Sequence, residues 1–170
     1  MEPISLCPVS TPEGVEAIAA LGAEIWQEHY LPLLGPEQVA YMVEKFQSVS
    51  AVSEQLRSGG YCYWLILWEG AACGYCGFVK EPERLFLSKL YLKKEFRGRG
   101  ISRFVLEALK KEAKGRRSIY LTVNKYNASS IAVYEKLGFC RIDAVKTPIG
   151  GGFYMDDYIM ELPLQPESAL

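Results

Sequence analysis

The sequence predicts one mixed α/β domain, and three observations carry the prediction. Apolar spacing marks about seven strand-like and four or five helix-like segments. They follow in the order strand, helices, three strands, helix, strand, helix, two strands. No repeat, low-complexity block or linker divides residues 1–170, so the chain reads as a single domain.

Ile4 to Cys7 is the opening strand. Thr11-Pro12-Glu13 starts a helix, with a hydroxyl at the N-cap, proline in the first turn and an acid beside it. Val15, Ile18, Ala19, Ile25 and Trp26 then recur at helical spacing, and the helix is expected to end before Pro32. Gly35-Pro36-Glu37 starts a second helix with Val39, Met42, Val43 and Phe46 on one stripe; Ser50 to Arg57 forms a third, closed by Ser58-Gly59-Gly60. Tyr61 to Trp68, Ala71 to Val79 and Arg84 to Leu92, separated by Glu69-Gly70 and Glu81-Pro82-Glu83, read as an antiparallel meander. Ile101, Val105, Leu106 and Leu109 mark a helix to about Lys114. A strand from Ser118 to Val123 follows, then a helix from Ala128 to Leu137 that ends at Gly138. Phe139 to Val145 and Phe153 to Leu162 are the last strands, with Pro148 to Gly152 between them, and the tail from Pro163 is expected to fray.

The composition is that of a globular protein: 49% apolar and 23% charged residues, with a net charge of -1. That balance gives no support to a nucleic-acid binder. No apolar run reaches the ~20 residues that cross a bilayer. The start, Met1-Glu2-Pro3-Ile4-Ser5, lacks the basic and apolar regions of a secretory signal, so the expected location is the cytoplasm, with no membrane partner. The five cysteines, Cys7, Cys62, Cys73, Cys76 and Cys140, are an odd and scattered set, expected to be reduced and mostly buried.

The segment richest in chemistry is Lys93 to Gly100, which joins a strand to a helix. Its glycines let backbone approach a ligand closely, and the free N–H groups and dipole of the helix start favour an anion. Arg97 and Arg99 add fork-shaped donors suited to phosphate, so the segment reads as a pyrophosphate site. It lacks the Gly-Lys-Ser/Thr of a Walker loop, and it follows a meander rather than opening a βαβ unit. Three other features are set aside. Cys73 and Cys76 have CxxC spacing but sit inside a strand, without a helix start for redox chemistry or a second pair for a metal, and no metal site is expected. Gly150-Gly151-Gly152 is a hairpin connection, and Lys110-Lys111 and Arg116-Arg117 are solvated.

Arg97-Gly98-Arg99-Gly100-Ile101-Ser102 resembles the Arg/Gln-x-x-Gly-x-Gly/Ala signature of the GCN5-related N-acetyltransferase (GNAT) superfamily, with Ser102 departing at the last position. A second element resembles the same family in the expected order: Leu121 to Asn127 as its strand-to-helix segment, and Ser129 to Phe139 as the helix that follows, with a Tyr-x-Lys-x-Gly-Phe ending. The resemblance covers about residues 60 to 162. It implies a mostly antiparallel, twisted sheet of about seven strands, splayed at a central parallel pair. It also implies acetyl-CoA as acetyl donor, with CoA as product. Residues 1–60 then form the N-terminal strand and acceptor-side helices, 61–162 the acetyl-CoA-binding core and 163–170 a tail.

The resemblance assigns roles residue by residue. The backbone of Leu90, Tyr91 and Leu92 holds the pantetheine arm like an added strand. Gly98, Arg99, Gly100, Ile101 and Ser102, with Arg97, hold the pyrophosphate. Asn127 hydrogen-bonds the cofactor, Asn124 does so or caps the next helix, and Lys136 belongs to the same cofactor-side motif. Tyr134 protonates the departing thiolate, as a phenol with a pKa near ~10 can.

The acceptor side is less defined. Many family members carry a carboxylate in the strand before the loop. Here Phe86, Ser88, Leu90 and Leu92 alternate with Leu85, Leu87, Lys89 and Tyr91, and the acids Glu81 and Glu83 lie only at the preceding turn. His29, the one histidine, has a suitable unperturbed pKa and is a candidate base. Trp26, His29, Tyr30 and Ser88 are candidate acceptor contacts. So is Asp156, although it and Asp157 face opposite ways on one strand and at most one points inward. The whole pattern, including Met155-Asp156-Asp157-Tyr158, resembles bacterial members similar to polyamine acetyltransferases. The reading is direct acetyl transfer to a primary amine, of a small molecule such as a polyamine. A protein or peptide acceptor, or a non-catalytic acyl-CoA sensor, stays open. Family members are often dimers, and exposed residues of the last strands offer a surface for one.

Overall fold

The computed structural model describes residues 2–165, so the expected tail is covered only from Pro163 to Gln165; 166–170 lie outside the described residues. In chain order the elements are β1 (Ile4–Pro8), α1 (Pro12–His29), α2 (Leu31–Leu34), α3 (Pro36–Met42), a π-helical turn (Val43–Gln47) and α4 (Val49–Arg57). Then come β2 (Tyr61–Trp68), β3 (Ala71–Lys80), β4 (Arg84–Leu92), a 3-10 turn (Lys94–Phe96) and α5 (Ile101–Glu112). β5 (Ser118–Asn124), α6 (Ala128–Lys136), β6 (Cys140–Gly150) and β7 (Phe153–Pro163) complete the chain. The strands form one sheet in the order β1-β2-β3-β4-β5-β7-β6. The β4–β5 ladder is parallel, whereas β1–β2, β2–β3, β5–β7 and β6–β7 are antiparallel. This is the expected mixed fold with its central parallel pair.

Local chemistry explains most boundaries. The Thr11 hydroxyl accepts from the Gly14 amide at 3.2 Å, with Pro12 in the first turn of α1. α1 ends at His29, before Pro32 as expected, but the chain does not stay irregular afterwards. It makes one more short helix, α2, because proline is tolerated in a first turn, and Gly35 at φ 83° ends it. The second expected helix keeps α geometry only to Met42 and then loosens into the π-helical turn. β6 also outlasts its expected end at Val145. Gly150, Gly151 and Gly152, all at positive φ, make the hairpin by themselves, and Pro148 is tolerated because β6 is an edge strand. Two of the five cysteines, Cys73 and Cys76, are buried; Cys7 and Cys140 are exposed, so the thiols are less buried than expected.

The chain divides into two compact units, and β4 contributes to both. The N-terminal unit takes residues up to Val79 with Lys89–Val105. Its core joins Val15, Ile18, Leu21 and Ile25 of α1 to Val52 of α4 and to Tyr63 and Tyr75 of the sheet. Each such side chain contributes about 1.5–3 kcal/mol by leaving water. The C-terminal unit takes Lys80–Ser88 with residues from Leu106 onward. There Leu85, Leu87, Ile119, Leu121 and Met160 line one buried sheet face, as their ladder partnerships require. Among the described residues, no helix is long and apolar enough to cross a membrane.

Gly74 sets how closely β3 meets β4. A Cβ there would lie 2.2 Å from the Tyr91 carbonyl oxygen and 3.1 Å from the Leu92 Cα, so backbone would have to move. Gly74→Ala is therefore expected to destabilise the protein by about 1–3 kcal/mol, read from the midpoint of urea unfolding.

Candidate active site

The loop after β4 is built by short-range bonds. The Lys93 amide donates to the Cys73 carbonyl at 2.9 Å, and the 3-10 turn is closed by Phe96 N–H to Lys93 O at 3.0 Å. Gly98 and Gly100 both adopt φ 78°, which favours glycine, and a Cβ at either would meet nothing within 4 Å. The loop thus presents backbone to open space where α5 begins at Ile101, while Ile101, Val105, Leu106 and Leu109 anchor that helix on its buried face. An anionic group fits such a helix start. The guanidinium of Arg97 donates to the Leu92 carbonyl at 3.3 Å, and that of Arg99 donates to the Glu95 carbonyl at 3.2 Å. Both side chains are exposed, and these contacts use only part of the five N–H groups each carries. Ser102 lies one residue into α5 and is half-buried.

Helix α1 ends beside this loop. Trp26 stacks on Tyr30 at 4.2 Å between ring centroids and meets Tyr91 edge-on at 5.8 Å. His29 meets Tyr30 edge-on, and its Nδ1 lies 3.4 Å from an Arg97 nitrogen. Arginine only donates, so a hydrogen bond here requires Nδ1 to accept. Glu24 faces Lys93 at 3.5 Å. The structure therefore brings Trp26, His29, Tyr30, Tyr91 and Arg97 together, with His29 against the loop arginine.

Lys89 was absent from the expected site, yet it is the least ordinary residue of β4. It is 4% exposed. Its ammonium group donates to the Phe46 carbonyl at 2.5 Å and to Gln55 Oε1 at 3.1 Å, and it lies over the rings of Tyr61 and Tyr63. Tyr63 also donates to Gln55, and Tyr75 donates to Gln47 at 2.6 Å. Burial without a carboxylate partner pushes the Lys89 amine down to about 7. The signal was present in the sequence: a charged residue continuing the alternation of Leu85 and Leu87.

In the C-terminal unit, Asn124 closes β5 and its side chain accepts from the Tyr126 amide at 2.9 Å. Asn127 is buried and caps α6, accepting from the Ser130 amide at 3.3 Å. The cap thus falls to Asn127 rather than to Asn124. Tyr134 is half-buried in α6, edge-on to Phe139 at 5.7 Å, and Lys136 is exposed at the helix end. Ser88 lies half-buried on β4. On β7, Asp156 forms an ion pair with Lys125 at 3.0 Å, and Asp157 is buried. Burial also raises the thiols of Cys73 and Cys76, so neither is a ready nucleophile. Arg116 is not merely solvated: its Nε donates to the Glu81 carbonyl at 2.6 Å.

Comparison with known proteins identifies this sheet and loop as the fold of acetyl-CoA-dependent acyltransferases. The model of the acetyltransferase (GNAT) family matches residues 22–139, and the chain belongs to that family. An N-alpha-acetyltransferase of Saccharolobus solfataricus is 30% identical over 129 residues, 65% of this chain and 74% of that protein. An uncharacterized N-acetyltransferase of Escherichia coli is 30% identical over 90 residues, 49% of this chain; the chain spans only 54% of that relative. The crystal structure of PaiA N-acetyltransferase from Thermoplasma acidophilum in complex with coenzyme A superposes with a TM-score of 0.78 at 23% identity, covering 96% of this chain and all (100%) of that one. At that identity the likeness concerns the fold.

Lys89 has a measurable signature. Its amine titrates near 7 in the folded chain against 10.5 when unperturbed, so above pH 7 the unfolded chain binds the extra proton. Stability should rise with pH from about 7, and the cleanest window lies below 9.0, where unfolded cysteines begin to ionise. Lys89→Met, measured by urea unfolding at several pH values, should abolish that rise and be the more stable protein at pH 7.

Proposed function

We propose that the protein transfers an acetyl group from acetyl-CoA to the primary amine of a small molecule such as a polyamine, by direct attack in a ternary complex. The observation that carries the donor side is the loop from Arg97 to Ser102, where two glycines at φ 78° leave open space beside the backbone at the start of α5. Arg97, Arg99 and the loop's backbone amides bind the pyrophosphate, and Leu90 to Leu92 hold the pantetheine arm along the strand. Acetyl-CoA supplies a thioester carbonyl. A phenol is an ordinary proton donor near neutral pH, and Tyr134 gives its proton to the sulfur as the C–S bond breaks. His29 steadies Arg97 by accepting one of its N–H bonds. Family membership and the five free thiols support a cytoplasmic enzyme.

A second reading is N-terminal acetylation of proteins. It is favoured by the Saccharolobus relative, whose name is N-alpha-acetyltransferase. A thiol-release assay over polyamines, amino acids, aminoglycosides and N-terminal peptides separates the two, with polyamines expected to give the highest kcat/KM. Firm CoA binding with no turnover on any of them would instead indicate a sensor.

Two further outcomes follow for the catalytic side chains. Tyr134→Phe should lower kcat by about 10²-fold or more while the Kd of CoA, measured by calorimetry, stays near the wild-type value. His29→Ala should raise the KM of acetyl-CoA by about 2–5-fold, the loss of one modest hydrogen bond, with His29→Gln closer to wild type.

A further inference from the structure

The sheet of the C-terminal unit has a polar face. Directly opposed residues of a ladder project the same way, so Arg84 and Phe86 of β4 share this face with Ser118, Tyr120, Thr122 and Asn124 of β5 and with Asp157, Ile159 and Glu161 of β7. At one end every charge is answered. Glu161 accepts from Ser118 at 2.8 Å and faces Arg84 at 3.5 Å, Arg84 lies over the Tyr120 ring at 3.9 Å, and Tyr120 donates to Glu81 at 2.8 Å. The other end differs. Asp157 stands across from Asn124, is only 6% exposed, and among the described residues no hydrogen bond or ion pair reaches its carboxylate. β6 sets Val145 opposite it and Asp143 further along, the latter accepting from its own neighbour Ala144. The nearest charges are Asp156 and Lys125, and these are spent on each other.

Enclosing a carboxylate without a partner is costly, and a cation bound beside it offsets that cost. We propose that Asp157 receives the acceptor: its carboxylate binds the incoming primary ammonium on this face and takes the proton that frees the nitrogen lone pair. The proposal rests on the acetyl-transfer reading and deepens it, naming the base and moving the amine contact from Asp156, which Lys125 holds, to its neighbour. Burial first, and the Asp156 charge second, raise the Asp157 carboxyl to about 6 against the pull of Lys125. It is then ionised at neutral pH and still basic enough to accept a proton, the balance a general base needs. An N–H bond of the ammonium breaks as an O–H bond forms on Asp157. The amine nitrogen bonds to the acetyl carbonyl carbon as the C–S bond breaks, and the sulfur takes the Tyr134 proton. The nitrogen's second proton restores the phenol, and Asp157 returns its own to solvent, so one proton is released per acetyl group moved.

The test is a carboxyl-carbon NMR titration of the full chain, with and without spermidine or n-butylamine, beside steady-state kinetics of Asp157→Asn. One carboxyl should titrate near 6, be missing in the Asn variant, and move down by about a unit or more with amine, since a neighbouring ammonium favours the ionised form. Asp157→Asn should lose about 10²-fold or more in kcat/KM and the acid limb of its pH profile, while its Kd for acetyl-CoA stays within about 2-fold. Either an Asp157 carboxyl indifferent to both amines or an Asn variant with wild-type kcat/KM overturns the proposal. If the Asn variant does not fold, the wild-type titration decides. If the wild type acetylates no amine at all, the acetyl-transfer reading fails by itself, and the amine-induced shift alone upholds or overturns amine binding at Asp157.

Discussion

The parallel ladder between β4 and β5 runs from Arg84↔Ser118 only to Leu87↔Leu121, and the chemistry of both units depends on what each strand does beyond it. β4 continues to Leu92, with β3 now close enough at Gly74 to leave no room for a Cβ, and delivers the chain straight into the glycine loop. β5 continues to Asn124 and turns through Asn127 into the helix that carries Tyr134. A pleated strand cannot choose its side chains' directions one at a time. Having placed Leu85 and Leu87 inward, β4 must also place Lys89 inward, and the molecule answers with the Phe46 carbonyl, Gln55 and two tyrosine faces.

The two units each hold a buried ionisable group, and they resolve it in opposite ways. Lys89 is satisfied from within by carbonyl oxygens and π-faces, which tolerate an amine in either protonation state, so its burial shows as a stability that depends on pH. Asp157 has no such internal answer, and Asp156 beside it adds repulsion. One group is closed into the architecture; the other has no hydrogen bond or ion pair among the described residues.

The strands from Tyr61 to Leu92 were legible to within a residue because dense aromatic and apolar runs were cut by unambiguous turns, Glu69-Gly70 and Glu81-Pro82-Glu83. The junction from β4 into α5 was legible because glycines cluster between a run of strand residues and a helical stripe. The region from Pro32 to Gln47 was less so. Its helical spacing is real, but proline and the looser turn after Met42 break it into short pieces that no stripe of apolar residues discloses. Asp156 and Asp157 show a different limit. Alternation says they diverge, but which one is enclosed depends on the register with Asn124 of β5 and Val145 of β6, partners about 33 and 12 residues away in the chain. Lys89 could have been flagged from alternation alone, but not the carbonyl from a π-helical turn that receives it.

The arginines of the glycine loop are caught by the loop's own carbonyls, Leu92 for Arg97 and Glu95 for Arg99, whereas α1 reaches the loop through the side chains of His29 and Glu24. Contacts to backbone survive any change of neighbouring side chain; contacts between side chains do not. Substitutions in α1 outside His29 and Glu24 therefore leave the loop's own bonds in place. The loop's shape is inherited from its own backbone, and the helix beside it is free to vary at its other positions.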